Sequence, residues 1–231
     1  MRLLSIDTST RGCSVAVHEN GVLLAGYDLY TDKSSSAMLT TLIKNAVEHA
    51  GFALSDLDAV VVAKGPGSYT GLRVGVSTAK GLCYALDKPL IAINTLEAMA
   101  QQVIPFFSEE VLFCPMIDAR RMEVYASVFD SNGAVVQETK AIIMDEHSFE
   151  ELLRDRKVVF FGDGASKCKA LLSGNPNAIF LKEEIRPSAK TVGGLAVKTF
   201  AENNFEDLAT FEPYYLKDFM SPPSRKAALT V

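Results

Sequence analysis

Histidine is scarce in this chain, and the three that occur, His18, His49 and His147, stand far apart. No two lie within a helical turn of each other. HxxxH and HExxH are therefore both absent, which argues against a metallopeptidase. Cysteine is nearly as sparse. Cys13, Cys83, Cys114 and Cys168 form no CxxC pair and sit in apolar surroundings. They read as buried thiols in a reducing cytoplasm rather than a disulfide or zinc framework. No apolar run approaches the roughly 18 residues of a membrane span. The chain enters a strand pattern directly, without the leader of an exported protein. Gly-x-Ser-x-Gly is missing, and Ser68 has no neighbouring histidine to activate it. Positive charge is also short. The net charge of −5 excludes a global basic field for nucleic acid and leaves room only for a local patch.

What is present is an ordinary globular composition, 48% hydrophobic and 22% charged over 231 residues, enough for one large domain or two small ones. The strand Leu3–Ile6 runs into Asp7, and strands 13–18 and 22–27 join at Asn20-Gly21, a hairpin signal. Ser34-Ser35-Ser36 caps a helix that ends at Gly51. Asp58–Ala63 is a buried strand, followed by a glycine loop and a long helix. Leu90–Ile93 is a strand, and Thr95 caps a helix from Leu96 to Val103, stopped at Ile104-Pro105. Beyond the polar connector Ser108-Glu109-Glu110 the pattern returns. Val111–Ile117 runs into Asp118; strands 123–129 and 134–143 join at Ser131-Asn132-Gly133; a helix spans about 147–154. Val158–Phe161 then leads into Gly162-Asp163-Gly164-Ala165 and a helix to Leu172. Ser188 caps a last helix, Pro213–Leu216 is an extended arm, and Met220–Lys226 reads as a tail. The two copies lie roughly 105 residues apart. A duplicated α/β fold with mixed sheets follows, with lobes at 1–104 and 105–231 and a cleft between them.

The stretch Val60–Arg73 carries the strongest signal. A β-branched run stops at Gly65-Pro66-Gly67-Ser68-Tyr69-Thr70-Gly71, and an almost uncharged helix follows to Leu86. A helix that opens after such a loop turns unpaired N–H groups towards an anion. The motif is neither a Walker loop nor a dinucleotide fingerprint, so a stiff connection without ligand stands beside an anion site built from Asp7, Gly65, Gly67, Ser68, Arg73 and Arg120. Gly71, Gly75 and Ala79 repeat every four residues on one helix face. A helical Gly costs about 1 kcal/mol against Ala, so this ridge marks the close approach of a core element or a partner. Asp7 and Asp118 end equivalent strands. They suit metal-bound phosphate or acid/base work across the cleft, or each simply bonds its own turn. Arg120 and Arg121 stand where a phosphate loop needs glycine, which weakens the site at Asp118. Gly162-Asp163-Gly164-Ala165 fits a nucleotide's base or ribose, or a turn with Asp163 as helix cap.

Ile6-Asp7-Thr8-Ser9-Thr10, Gly65 to Gly75, Ala79-Lys80-Gly81, Asn94-Thr95-Leu96-Glu97-Ala98 and Asp118-Ala119-Arg120-Arg121-x-Glu123-Val124-Tyr125 resemble the bacterial TsaB (YeaZ) family. That family serves threonylcarbamoyladenosine biosynthesis in tRNA and was once filed with glycoprotease-like peptidases. The likeness runs nearly end to end. It implies two RNase H-like lobes of the actin/hexokinase/Hsp70 type. It also implies a protein that is not itself the transferase and has no metal or cofactor of its own. The catalytic paralogue TsaD carries the HxxxH motif that this chain lacks. TsaB is its partner, together with the ATPase TsaE, and alone it pairs with itself; tRNA is reached only through the complex. The resemblance places the contact on the first two helices, here Ser36, Leu39, Ile43, Gly71, Val74, Gly75, Thr78, Ala79 and Leu82. It leaves weak adenine-nucleotide binding open. One departure stands out: Ser35-Ser36 replaces the family's usual His-Ser. The rival reading from another class is a small-molecule kinase with ATP between the lobes, acting through Asp7 and Asp118.

Overall fold

The computed structural model describes residues 1–31, 35–107 and 110–217, with 35 and 36 by backbone alone. Two five-stranded sheets share one plan. The first holds β1 (Arg2–Asp7), β2 (Cys13–Glu19), β3 (Val22–Leu29), β4 (Ala59–Gly65) and β5 (Leu90–Asn94), in the order β3-β2-β1-β4-β5. The second holds β6 (Leu112–Asp118), β7 (Glu123–Phe129), β8 (Val135–Ile143), β9 (Val158–Phe161) and β10 (Ala178–Phe180), in the order β8-β7-β6-β9-β10. Each is an antiparallel meander continued by parallel strands, so both sheets are mixed and the duplication shows strand for strand. Asn20 and Gly21, at φ 50° and 83°, make the tight turn of the first meander.

The helices are α1 (Ser35–His49), α2 (Tyr69–Leu86), α3 (Thr95–Gln101), α4 (Glu150–Asp155), α5 (Ala165–Leu172) and α6 (Ala189–Ala201). Because β1 and β4 are apolar on both faces, each sheet needs cover on both sides. On the outer face of the first sheet Leu4, Ile6, Val15 and Val62 pack under Leu39 and Ile43 of α1 and Val76 and Ala79 of α2. Leu112, Met116 and Phe160 pack in the same way with Cys168 and Leu172 of α5 and Leu153 of α4.

The inner faces are covered crosswise. Helix α3 follows the first sheet in the chain, but its Leu96, Met99 and Ala100 pack on Phe113, Phe129 and Val159 of the second. Helix α6 follows the second sheet, but its Val192 and Ala196 pack on Leu3, Val61 and Ile91 of the first. A cut at 104/105 therefore divides the two sheets but not the helices that cover them. Helix α6 is fastened at its start by a polar cluster. Ser14 and Ser188 hydroxyls donate to Asp28 Oδ1 at 2.6 and 2.9 Å, Ala189 N–H donates to Ser14 Oγ at 2.8 Å, and Lys190 pairs with Asp28 at 2.5 Å.

The chain then returns to the first lobe. Glu206 N–H donates to Leu90 O at 2.9 Å, Leu208 and Phe211 join the first outer core, Lys80 Nζ donates to Phe211 O at 3.0 Å, and Tyr214 N–H donates to Lys64 O at 2.7 Å. This strap, residues 206–217, includes the arm expected at 213–216. The tail expected at 220–226, the 108–109 part of the connector and Ser34 lie outside the described residues.

Several local expectations need correction. Asn94, not Thr95, caps α3, because its amide oxygen accepts from Leu96 and Glu97 N–H while Thr95 is buried. Helix α3 ends at Gln101, before a 3-10 turn at Ile104–Phe106. Helix α4 starts only at Glu150, after Phe149 at φ 65° breaks the helical path. Asp163 does not cap α5; its Oδ1 accepts from Asp118 N–H at 2.8 Å, and Gly164 precedes the helix. The three-residue strand β10 had no sequence signal. All four cysteines are free and buried. Among the described residues no helix is long and apolar enough to cross a membrane.

Candidate functional site

Asp7 ends β1 at the bottom of the first lobe's turn. Its Oδ1 accepts from Ser9 N–H at 2.9 Å and from Ser9 Oγ at 2.6 Å, while its buried Oδ2 meets no partner. Burial pushes the Asp7 carboxyl up to about 6. Asp118 repeats the turn in the second lobe, with Oδ1 accepting from Arg120 N–H at 2.7 Å, but Lys167 sits on it at 2.5 Å. Partial burial raises the Asp118 carboxyl, but the Lys167 bond and charge and the Arg120 N–H together outweigh it, leaving it below the ordinary carboxylate range. The two aspartates thus share a turn and differ in setting: one is sealed in with its carboxyl raised, the other is half exposed and paired with a lysine.

The glycine loop closes on that first turn. Ser68 N–H donates to Ser9 O at 2.6 Å, and Gly71 N–H donates to Ser68 Oγ at 3.3 Å, so both donors are spent inside the chain. A Cβ on Gly67 would lie 2.1 Å from Ser9 O, and one on Gly71 2.1 Å from Thr8 O. The ridge continues inward, since a Cβ on Gly75 would lie 2.3 Å from Thr8 Oγ1, whose hydroxyl donates to Gly71 O at 2.7 Å. Of the expected anion set, Asp7, Gly67 and Ser68 gather around Ser9. Gly65, at φ 112°, lies under Tyr214 O, and Arg120 is on the turn of the other lobe.

Arg73, on α2, reaches the strap. Its guanidinium lies 4.4 Å over the Tyr69 ring, and its Nε donates to Tyr215 OH at 3.3 Å; the Tyr69 and Tyr215 rings meet tilted by 33°, centroids 4.8 Å apart. Lys217 then pairs with Glu123 on the second lobe. Strap and loop enclose a cavity of about 30 Å³ among Pro66, Gly67, Tyr69, Tyr125 and Tyr214, room for about one water.

The residues expected at a partner contact divide three ways. Leu39 and Ile43 are core residues, and Gly71, Gly75 and Ala79 face Thr8 and β4 of the same chain. All five are buried within this chain, where the small-residue ridge packs on its own Thr8 turn. Val74, Thr78 and Leu82 are half-buried on the flank of α2, and the Ser36 side chain lies outside the described residues. The outer face of α2 is instead made by Ser77, Gly81, Tyr84 and Ala85, uncharged and exposed, with Met38 of α1 also exposed. Tyr84 is 87% exposed. Nothing lies within 4 Å of a Cβ built on Gly81. Gly81 and Tyr84 were missed because the every-four spacing drew attention to the opposite face. A helical glycine out of phase with that ridge was the available signal.

Among the described residues no three His, Cys, Asp or Glu side chains gather as a metal site. Residues 30–222 match the family model for TsaD, tRNA N6-adenosine threonylcarbamoyltransferase. The chain is 31% identical over 224 residues to the tRNA threonylcarbamoyladenosine biosynthesis protein TsaB of Escherichia coli, covering 94% of this chain and 95% of that one. A Pseudomonas aeruginosa crystal structure, described as an uncharacterized protein with similarity to peptidase YEAZ, superposes with TM-score 0.81 at 25% identity, over 94% of this chain and 99% of that one. More distantly, the activator of 2-hydroxyisocaproyl-CoA dehydratase from Clostridium difficile, with bound ADPNP, matches at TM-score 0.51 and 12% identity over 87% and 95% of the two chains. That likeness extends to the fold alone.

Proposed function

The chain belongs to the TsaB family of tRNA threonylcarbamoyladenosine biosynthesis proteins, and from that premise we propose that it acts in the cytoplasm as a non-catalytic partner of the TsaD transferase. It docks through the outer face of α1 and α2, pairs with itself there when alone, and meets TsaE and tRNA within the assembled complex. The observation that carries this reading is Gly81. A glycine inside a helix costs about 1 kcal/mol against alanine. Gly71 and Gly75 have a reason within the chain, whereas Gly81 has open space before it and Tyr84 beside it. Close approach of a second chain supplies the missing reason. The non-catalytic part is supported by the spent donors of the glycine loop and by the Lys167 clamp on Asp118.

Light scattering on the chain, alone and mixed with TsaD of the same organism, tests this with Gly81→Arg and Tyr84→Asp. Both positions are exposed, so melting temperature should stay within a few degrees while association falls at least tenfold, and threonylcarbamoyladenosine formation by the complex falls with it. Association that survives both variants moves the contact off α2. A wild-type chain that ignores TsaD ends the partner reading.

A further inference from the structure

The turn between β6 and β7 is built at a cost that its backbone does not require. Arg120 and Arg121 adopt φ 70° and 50°, two successive left-handed residues and neither a glycine. Elsewhere this chain uses Asn20-Gly21 and Gly133 for such turns. Several backbone groups of the turn are bonded within the chain. Ala119 N–H donates to Glu123 O at 3.1 Å, and Glu123 N–H donates to Arg120 O at 3.2 Å. Lys167 Nζ donates to Arg121 O at 2.8 Å and to Glu123 O at 2.6 Å. A rigid loop thus holds two arginine side chains in solvent.

Two of the acidic groups at this turn are matched by lysines, and a third, Asp163, accepts from Asp118 N–H beneath it. Asp118 is paired with Lys167 and Glu123 with Lys217. Among the described residues Arg120, Arg121 and Arg11 form no ion pair. Arg11 is exposed on the equivalent turn of the first lobe, between β1 and β2. Two exposed guanidinium groups without an ion pair among the described residues therefore stand side by side on this turn, in a chain of net charge −5. Guanidinium is the side chain best suited to phosphate oxygens.

We propose that Arg120 and Arg121 contact the phosphate backbone of RNA and give the tRNA a foothold on this chain within the complex. This rests on the partner reading above. The foothold is electrostatic and reads no bases, so its signature is salt dependence.

The test uses the reconstituted complex with TsaD and a fluorescent tRNA, titrated at several salt concentrations, with Arg120→Gly/Arg121→Gly and Arg120→Lys/Arg121→Lys. Glycine relaxes the turn, so the first variant should melt at or above the wild-type temperature, which a merely structural pair of arginines would not allow. It should still form the complex, bind tRNA about 10-fold more weakly, and show a salt slope shallower by about one per arginine lost. The lysine variant keeps its charge and should keep most of the affinity, covering the case in which glycine unsettles the fold. Unchanged affinity and slope in the glycine variant overturn the foothold. So does loss of the complex without loss of folding, since the turn would then contact protein. If the wild type forms no complex, the partner reading fails first and the foothold falls with it, a distinct result from an intact complex with unchanged RNA affinity.

Discussion

Asp7 shows what one residue contributes beyond its type. Its position at a strand end is plain in the sequence, but its protonation is not, because burial depends on Thr8, Ser9 and the glycine loop closing over it. The carboxyl is raised from 3.8 to about 6. Between those values the folded chain keeps a proton that the unfolded chain has released, so stability falls as pH rises through the window. Above pH 6 the buried carboxylate costs on the order of 3 kcal/mol. Asn at this position keeps the oxygen that accepts from Ser9. Asp7→Asn should therefore be more stable than wild type at pH 7, by about 1–3 kcal/mol in urea unfolding, with the advantage gone near pH 4. An equal gain at both values would mean that burial does not raise the Asp7 carboxyl.

Helix α2 shows what spacing reveals and what it hides. The every-four pattern of Gly71, Gly75 and Ala79 correctly identifies a face of close approach. It does not say what approaches, because the Thr8-Ser9 turn lies some sixty positions away along the chain, and nothing in the helix itself points to it. Two substitutions separate the faces. Gly71→Ala sets a methyl against a backbone oxygen and should destabilise the chain by about 1–3 kcal/mol, despite better helix propensity. Gly81→Ala meets nothing and should stabilise the isolated monomer by about 0.5–1 kcal/mol. Thermal melts at low protein concentration read both, and a shared sign would contradict the assignment of the two faces. The cap of α3 went astray for a similar local reason: Asn94 and Thr95 are both good caps, and only the chain's exit from β5 at Asn94 decides between them.

For the whole molecule, the sheets were legible and the cover was not. Strand, Asp turn, hairpin and buried strand recur in sequence, and the two sheets follow that recurrence in the same order. The crossing of α3 and α6 has no local signal. Helix α6 is bound for the first sheet by Asp28, 160 residues upstream of Ser188, and by apolar positions that would suit either sheet. This exchange makes the molecule a clasp of two half-chains. A fragment ending at Phe107 would leave Leu3, Val61 and Ile91 bare, and one beginning at Glu110 would leave Phe113, Phe129 and Val159 without α3. Expressed apart, neither should melt cooperatively. Mixed during refolding, the halves should find each other and restore one transition by circular dichroism, so that a chain severed at its middle still assembles, with each piece acting as the other's missing chaperone.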